Sequence, residues 1–150
     1  MSRPKPLSLE ALSALLEAHF APWVQALSLE PVEVSGVGAA FRLPCGPQVA
    51  RGGGGGGPPM LCGQAMASAA DTASVLTISA LNGRFRNCTT VDLTTHFLRP
   101  VMSDAAEVRV EALSNGRRMA TTRVEVRPLE GGAPGKLAAT ATCAFAYLED

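Results

Sequence analysis

CGQAMASAADTASVLTISAL, residues 62–81, is a run of small and apolar side chains in which Asp71 is the single formally charged residue. The run is long enough for about five and a half turns of α-helix. Asn82 and Gly83 follow it, and this pair tolerates the left-handed conformation of a helix C-cap. Because nearly every face is apolar, the helix should be surrounded by the rest of the chain. We predict a central helix over about residues 61–82.

After this helix, apolar and polar residues alternate along the chain, as they do in β-strands. Residues 107–112 place valine and alanine on one face and charges on the other, and residues 119–127 continue the pattern beyond a turn at 114–116. Residues 89–97 and 136–148 provide two further strands. At least four antiparallel strands are therefore predicted after the helix.

The first sixty residues predict a helix, a strand pair and a loop. Ser8 is a suitable N-cap for an amphipathic helix over residues 9–20. Residues 27–43 consist of two β-favouring pieces separated at 35–36. Residues 44–59 contain six consecutive glycines and four prolines, which predicts a flexible loop.

Length and composition limit the fold and the partners. A chain of 150 residues that is 47% hydrophobic can close one core and is short for two domains. We predict a single α+β domain over residues 1–150, with an antiparallel sheet of five to six strands curled around the central helix, plus an N-terminal helix. Thirteen basic and thirteen acidic residues give a formal charge of zero, so neither nucleic acid nor an anionic membrane is an expected partner.

Targeting signals are not evident in the sequence. The first twenty residues carry Glu10, Glu17 and His19, which interrupt the apolar core that a signal peptide needs. A membrane-spanning reading of residues 61–81 would place Asp71 in lipid with no evident partner. A cytoplasmic protein is therefore expected.

Metal-binding spacing is also absent from the sequence. No CxxC pair occurs among the four cysteines, which are Cys45, Cys62, Cys88 and Cys143. His19 and His96 are the only histidines that could join them. We expect neither a metal nor a separate cofactor.

Asp71 is the leading candidate for catalysis. No lysine or arginine lies within residues 60–83 to offset its charge along the helix. Burying an unpaired carboxylate costs several kcal/mol or raises its pKa, and perturbed carboxylates cluster at active sites. Such a group can act as a general base or as a nucleophile. The alternative is a local hydrogen bond from Ser68 or Thr72.

The start of the central helix is the second candidate element. Unpaired backbone N–H groups at Cys62, Gly63 and Gln64 can stabilise an oxyanion. Gly63 and Asp71 are separated by about 12 Å of helix, too far to reach one carbonyl carbon. A two-fold dimer with antiparallel central helices would bring Asp71 of one subunit to Gly63 of the other. A dimer with two equivalent sites is therefore hypothesised.

Two motifs carry a family resemblance. GQAMASAADTA at residues 63–73 and TVDLTTHFLRP at residues 90–100 are similar to the hotdog-fold acyl-CoA thioesterases of the PaaI-like (phenylacetic acid degradation-related) type. The resemblance covers roughly residues 55–148 and includes the turn at 116–118. It implies a sheet wrapped around one helix, homodimers that commonly pair into tetramers, and hydrolysis of an acyl-CoA without metal, with coenzyme A as part of the substrate.

The resemblance also implies roles for individual residues. Asp71 matches the catalytic acidic residue, Gly63 the backbone oxyanion donor, and Thr90 a hydroxyl residue near the reacting water. Thr90 can equally be a strand threonine satisfied by packing. Guanidinium groups suit phosphate binding, although any single one can also be a solvated surface charge. Three arginines lie where related proteins meet the phosphates of coenzyme A: Arg99, Arg117 and Arg118.

The sequence departs from the family pattern at the substrate-binding residues. Cys62 replaces the usual histidine, and Gly56 replaces an amide-bearing residue six positions earlier. Gln64 could serve as the polar partner of the thioester. A non-catalytic acyl-CoA or fatty-acyl binding protein therefore remains as an alternative. A dehydratase is disfavoured because neither His19 nor His96 stands at the central helix.

Overall fold

Three α-helices and nine β-strands make up the regular structure of residues 2–52 and 56–149, the part of the chain that the computed structural model describes. The helices are α1 (Leu9–His19), α2 (Pro22–Gln25) and α3 (Gly63–Asn82). The strands are β1 (Glu30–Val34), β2 (Gly38–Pro44), β3 (Ala50–Arg51), β4 (Met60–Leu61), β5 (Cys88–Phe97), β6 (Ala105–Asn115), β7 (Met119–Glu130), β8 (Ala133–Pro134) and β9 (Ala139–Tyr147). None of the helices in this part of the chain is both long and apolar enough to span a bilayer.

The predicted central helix is α3. It begins two residues later than expected because Met60 and Leu61 form strand β4 instead. Its end is as predicted, since Gly83 has a φ of 69° and donates its N–H to the carbonyl oxygen of Ala80. Two buried hydroxyl groups in α3 bond to the helix itself: Thr77 Oγ1 donates to the carbonyl of Ala73 at 2.7 Å, and Ser79 Oγ donates to the carbonyl of Val75 at 2.8 Å. Small side chains with satisfied polar groups thus allow the sheet to pack closely against the helix.

One antiparallel sheet packs around α3. Its strands lie in the order β1-β2-β6-β7-β9-β5, and β8 pairs with β7. The helix contacts five of these strands: β2, β5, β6, β7 and β9. Large side chains on the inner face of the sheet are almost completely buried, and they include Val108, Val110, Val124, Val126 and Phe145. The α+β class and the sheet of five to six strands wrapped around one long helix are confirmed.

The N-terminal helix is confirmed as α1. Ser8 caps it by accepting a hydrogen bond from the N–H of Ala11 at 3.2 Å, and Leu12 and Leu16 are buried in the core. Pro22 then starts the four-residue helix α2, which the sequence did not predict. Proline is favourable at a first helical position because the amide hydrogen it lacks would have no partner there.

The predicted loop at residues 44–59 contains regular structure in its described part. A 3₁₀-helix (Pro47–Val49) leads into β3, which pairs with β4 just before α3. Residues 53–55, the middle of the glycine run, lie outside the described residues, so their predicted flexibility stays a prediction. A single domain over residues 1–150 also stays a prediction.

A ring of three hydrogen bonds, which we call the C-terminal clasp, fixes the end of α3. Asn82 donates to the Tyr147 hydroxyl at 2.9 Å, Tyr147 donates to Asn115 at 2.6 Å, and Asn115 donates back to Asn82 at 2.9 Å. Arg86 stacks on the Tyr147 ring, 3.5 Å from its centroid, and donates to the carbonyl oxygens of Gly116 and Arg117. The clasp thereby joins α3 to the turn between β6 and β7.

Strands β2 and β6 approach each other closely at Gly38. A Cβ atom on this residue would overlap the carbonyl oxygen of Val110, and backbone cannot move aside as a flexible side chain can. Gly36, two residues earlier in the same hairpin, has no atom within 4 Å of the equivalent position. The sheet therefore requires glycine at 38 and tolerates a side chain at 36.

We expect Gly38→Ala to lower the free energy of unfolding by about 1–3 kcal/mol, because the overlap must be relieved by a backbone shift. The matched control Gly36→Ala should change it by less than about 0.5 kcal/mol. Urea denaturation of both variants measures the difference. Equal stability of the two variants would contradict the close approach.

Candidate active site

One stripe of α3 is not covered by the sheet. Gln64 is exposed, and Ala67, Asp71 and Val75, which follow it at helical spacing, are only partly buried. The other faces of the helix are buried. The expectation that the chain surrounds the helix is therefore correct for most of its surface and wrong for this stripe, which stays partly exposed.

The open stripe faces the inner side of β5, the last strand in the sheet order. Residues paired in an antiparallel ladder share a face, and alternate residues of β9 are buried against the helix. Their partners on β5 therefore point to the helix side: Cys88, Thr90, Leu93, Thr95 and Phe97. A register shift between Thr90 and Asp92 keeps both Thr90 and Leu93 on this side. Strand β5 and the stripe together form an open groove.

Asp71 and Thr90 meet in this groove. Thr90 Oγ1 lies 2.7 Å from Asp71 Oδ1 and donates a hydrogen bond to it. Among the described residues this bond comes from the strand, rather than from Ser68 or Thr72 on the helix itself. Asp71 is only half-buried, so the sequence expectation of a fully buried, unpaired carboxylate is corrected. The structure brings together two residues that the sequence selected separately.

The charge of Asp71 affects the pKa of two nearby thiols, Cys88 and Cys143. Burial raises the pKa of Cys88 above its usual value; the Asp71 carboxylate raises it further, and Arg86 opposes both. Burial likewise raises the pKa of Cys143, with hydrogen bonds to Ser74 and Thr122 opposing it and Asp71 adding to it. Both thiols are therefore protonated at neutral pH and are poor nucleophiles.

Beneath Asp71 lies a buried polar contact that the sequence did not reveal. Thr122 Oγ1 donates to Ser74 Oγ at 2.7 Å, and both residues are completely buried. Ser74 lies one helical turn after Asp71, and Thr122 belongs to β7. This hydrogen bond fixes the turn of α3 that carries Asp71 against the sheet. The alternation of β7 predicted the inward position of Thr122 but could not predict its partner.

Gly63 is the first residue of α3 and has an aromatic neighbour. The side chain of the N-cap residue Cys62 makes no capping hydrogen bond. A Cβ atom at Gly63 would lie 3.2 Å from Cζ of Phe97, so glycine lets the phenyl ring rest on the first helical turn. Phe97 was not selected from the sequence. Its position on the inner face of β5 depends on the register shift in that strand, which the sequence pattern does not show.

The remaining substrate-binding candidates lie on two sides of Gly63. Cys62 is half-buried and Gln64 is exposed, and both border a pocket of about 330 Å³ beside Trp23. Arg99 borders a second pocket that also contains Gly63, and its Nη1 donates to the carbonyl oxygen of Leu137 at 2.9 Å. Cys62, Gln64 and Arg99 therefore lie around the start of α3, and their roles in binding a substrate stay predictions.

Arg117 and Arg118 lie at the opposite end of α3. They occupy the turn after β6, which the C-terminal clasp joins to Asn82. The full length of α3, roughly 28 Å, separates that end from Gly63. Within one chain the structure does not bring Arg99 together with these two arginines.

The histidines do not enter the groove. His96 pairs with Thr140, and this register places it on the face of the sheet turned away from α3. His19 stacks on Phe85, with ring centroids 4.0 Å apart. In the described part of the chain, no three His, Cys, Asp or Glu side chains converge as a metal site would require.

Comparisons with known proteins find similarity to thioesterases. Residues 62–134 match the family model described as the thioesterase superfamily. A solved structure of a conserved protein from Pseudomonas aeruginosa has 28% sequence identity, covers 88% of this chain and 98% of its own, and superposes with a TM-score of 0.72. Among curated proteins no significant match is found.

Two further solved structures share the fold at lower identity. A thioesterase from Haemophilus influenzae has 20% identity over 99% of this chain and 96% of its own, with a TM-score of 0.80. A thioesterase family protein from Silicibacter pomeroyi has 16% identity over 95% and 100%, with a TM-score of 0.77. The family match includes all of α3 and β5 and therefore both Asp71 and Thr90. The chain has the hotdog fold, and its residues 62–134 are similar to the thioesterase superfamily.

Proposed function

We propose that the protein is a PaaI-like acyl-CoA thioesterase that hydrolyses an acyl-CoA to a free acid and coenzyme A. The observation that carries this proposal is the hydrogen bond from Thr90 to Asp71 in an open groove. A carboxylate held by one oxygen keeps its other oxygen available to a water molecule or a carbonyl carbon. The similarity of residues 62–134 to the thioesterase superfamily supports the same reaction class.

Asp71 can act in two ways, and both are retained. As a general base it takes a proton from water while the water oxygen attacks the thioester carbon. As a nucleophile its own oxygen attacks, and water then hydrolyses the resulting mixed anhydride. In both cases the carbonyl oxygen gains negative charge, which the N–H of Gly63 stabilises, and the carbon–sulfur bond breaks to release coenzyme A as its thiol.

The reaction needs two copies of the chain. Asp71 and Gly63 are about 12 Å apart on one helix and cannot reach the same carbon. The uncovered stripe of α3 and the edge strand β5, where Leu93 and Phe97 are 38% and 53% exposed, are surfaces that a second copy would cover. We therefore propose a homodimer with antiparallel α3 helices and two sites, which can pair into a tetramer.

In such a dimer, opposite ends of the two α3 helices would approach each other. Arg117 and Arg118 of one protomer would then lie roughly 16 Å beyond the helix start of its partner, about the length of the pantetheine arm. This arrangement supports a role for both arginines in binding the phosphates of coenzyme A, since guanidinium groups bind phosphate by paired hydrogen bonds. Neither nucleic acid nor a membrane is an expected partner, and the cytoplasmic location stays a prediction.

A non-catalytic acyl-CoA binding protein is the second candidate. The presence of Cys62, where the resembling family usually has histidine, favours it. The pairing of Asp71 with Thr90 disfavours it, because binding alone would not require a positioned carboxylate. Release of free thiol distinguishes the two functions.

We expect Asp71→Asn to reduce the release of thiol from acyl-CoA substrates by about 10²–10⁴-fold, because the amide can neither accept the proton nor attack. A panel of aromatic, short-chain and long-chain acyl-CoAs with a thiol reagent provides the measurement. Asp92→Asn, an exposed carboxylate on the same strand as Thr90, is the matched control and should keep normal activity. Tight binding of acyl-CoA by the wild type without thiol release would support the binding protein instead.

We expect Thr90→Val to lower kcat about tenfold or more, because a hydrogen bond to a charged group is lost without a change in side-chain size. Thr90→Ser keeps the hydroxyl and should retain most of the activity. Thr95→Val, on the same face of β5, controls for a general effect on the strand. Equal kcat values for the valine and serine variants at position 90 would show that the hydroxyl has no role.

The two-chain site can be tested by mixing defective subunits. Gly63→Pro removes the N–H while proline remains compatible with a first helical position and with the extended backbone of Cys62. Asp71→Asn and Gly63→Pro should each be inactive, and their co-expression should restore about a quarter of the wild-type activity, since half of randomly paired dimers would contain one intact site.

Gly63→Ala, which adds a Cβ atom but keeps the N–H, controls for crowding against Phe97. A co-expressed mixture with no more activity than the separate variants would mean that both groups act within one chain.

A further inference from the structure

Phe97 lines two neighbouring pockets at the start of α3. The first, called the helix compartment, has a volume of about 560 Å³ and contains Gln64 and Ala67. The second, called the methionine compartment, has a volume of about 480 Å³ and contains Leu61 and Met66. Gly63, Arg51 and Phe97 border both. A carbonyl group held at Gly63 would thus border both compartments.

A thioester has two substituents on its reacting centre, the acyl group and the pantetheine arm, and each requires space. The helix compartment continues along the open stripe of α3 towards Asp71, so a long arm can leave through it. The methionine compartment is lined by Leu61 and Met66, which are 3% and 5% exposed. Methionine adapts its shape to an apolar guest. This compartment therefore suits the acyl group.

Two arginines, Arg51 and Arg99, border the methionine compartment, and no acidic residue is among the described residues that line it. Arg99 uses Nη1 for the carbonyl oxygen of Leu137, which leaves other donors of its guanidinium for a ligand. Arg51 forms no ion pair within residues 2–52 and 56–149. Asp104 borders a neighbouring pocket together with Arg51, but the two residues form no salt bridge. An apolar pocket with two cations at its border attracts an apolar chain that ends in an anion.

The phosphates of coenzyme A are too far from the thioester to be the anion that these two arginines bind. The extended pantetheine arm places them roughly 15 Å from the thioester sulfur, the length of about four extended residues. Arg51 and Arg99 border the same pocket as Gly63, where the carbonyl would lie. The anion that these arginines can reach within one chain is therefore on the acyl side of the thioester.

We propose that the methionine compartment binds the acyl group and that Arg51 and Arg99 select acyl groups with a terminal carboxylate, the monothioesters of dicarboxylic acids. This inference rests on the proposed function because it takes Gly63 as the site of the thioester carbonyl. Phe97 is the wall that keeps the acyl chain apart from the pantetheine arm. The selected substrate class is thus defined by an apolar chain and one distal negative charge.

Two thioether analogues that cannot be hydrolysed test the selection directly. S-hexyl-coenzyme A and S-(5-carboxypentyl)-coenzyme A have chains of equal length that end in a methyl group or a carboxylate. Isothermal titration calorimetry on the full-length protein should show at least tenfold tighter binding of the carboxylate analogue, as expected for a charge-assisted hydrogen bond. Equal or weaker binding of the carboxylate analogue, or no binding of either, would overturn the proposal.

Variants of Arg51 and Arg99 test whether these residues cause the preference for the carboxylate analogue. Arg51→Gln and Arg99→Gln should each reduce the ratio of the two dissociation constants, and the double variant should bring it close to one. Arg123→Gln, an exposed arginine of β7 that pairs with Glu111 away from the groove, should keep the wild-type ratio. A double variant with an undiminished ratio would refute the role of the arginines. Phe97→Ala should weaken the binding of both analogues, because it removes the wall that both chains contact.

Measurements of turnover distinguish a failure of this proposal from a failure of the proposed function. Adipoyl-CoA and hexanoyl-CoA form the corresponding substrate pair, and kcat/KM should favour adipoyl-CoA at least tenfold. Hydrolysis of both at equal rates would refute the selection and leave the thioesterase function standing. Selective binding of the carboxylate analogue with no hydrolysis of either ester would refute the thioesterase function and leave the selection standing.

Discussion

Close packing of a sheet against one helix requires that the helix carry small side chains, and α3 meets this requirement with alanine, serine and threonine over most of its length. Buried hydroxyl groups would oppose such packing if they lacked partners. Thr77 and Ser79 bond to carbonyl oxygens of the preceding turn, and Ser74 accepts from Thr122 on the sheet. The polar atoms are thus satisfied without larger side chains, and the strands can approach the helix.

The same packing leaves one side of α3 open, and the candidate chemistry lies there. Asp71 belongs to the stripe that the sheet does not cover, and β5 supplies Thr90 from the edge of the sheet. Phe97 closes the groove at the helix start, against Gly63. A carboxylate, a hydroxyl donor and a helix N-terminus are held on rigid elements rather than on loops, which favours defined positions for reacting groups.

The sequence pattern was sufficient for the main elements, because α1 and the long strands each bury one regular face and α3 is a long, almost uncharged apolar run. It was insufficient for α2 and for the β3–β4 pair, which are too short to show a period. Asp71 was identified from its isolation among apolar residues, and Thr90 was identified from the family resemblance. The bond between them, and the position of Phe97, depend on a register shift in β5 that exists only once the sheet is formed.

The C-terminal clasp gives α3 a fixed number of residues. Asn82 must meet Tyr147 and Asn115 at one end, while Gly63 must meet Phe97 at the other. A deletion of one residue between these ends would shorten the helix by 1.5 Å and rotate everything beyond it by about 100°. Asp71 or the clasp would then leave its place. Homologous chains with the same clasp and groove can accordingly accept substitutions within this helix but not insertions or deletions.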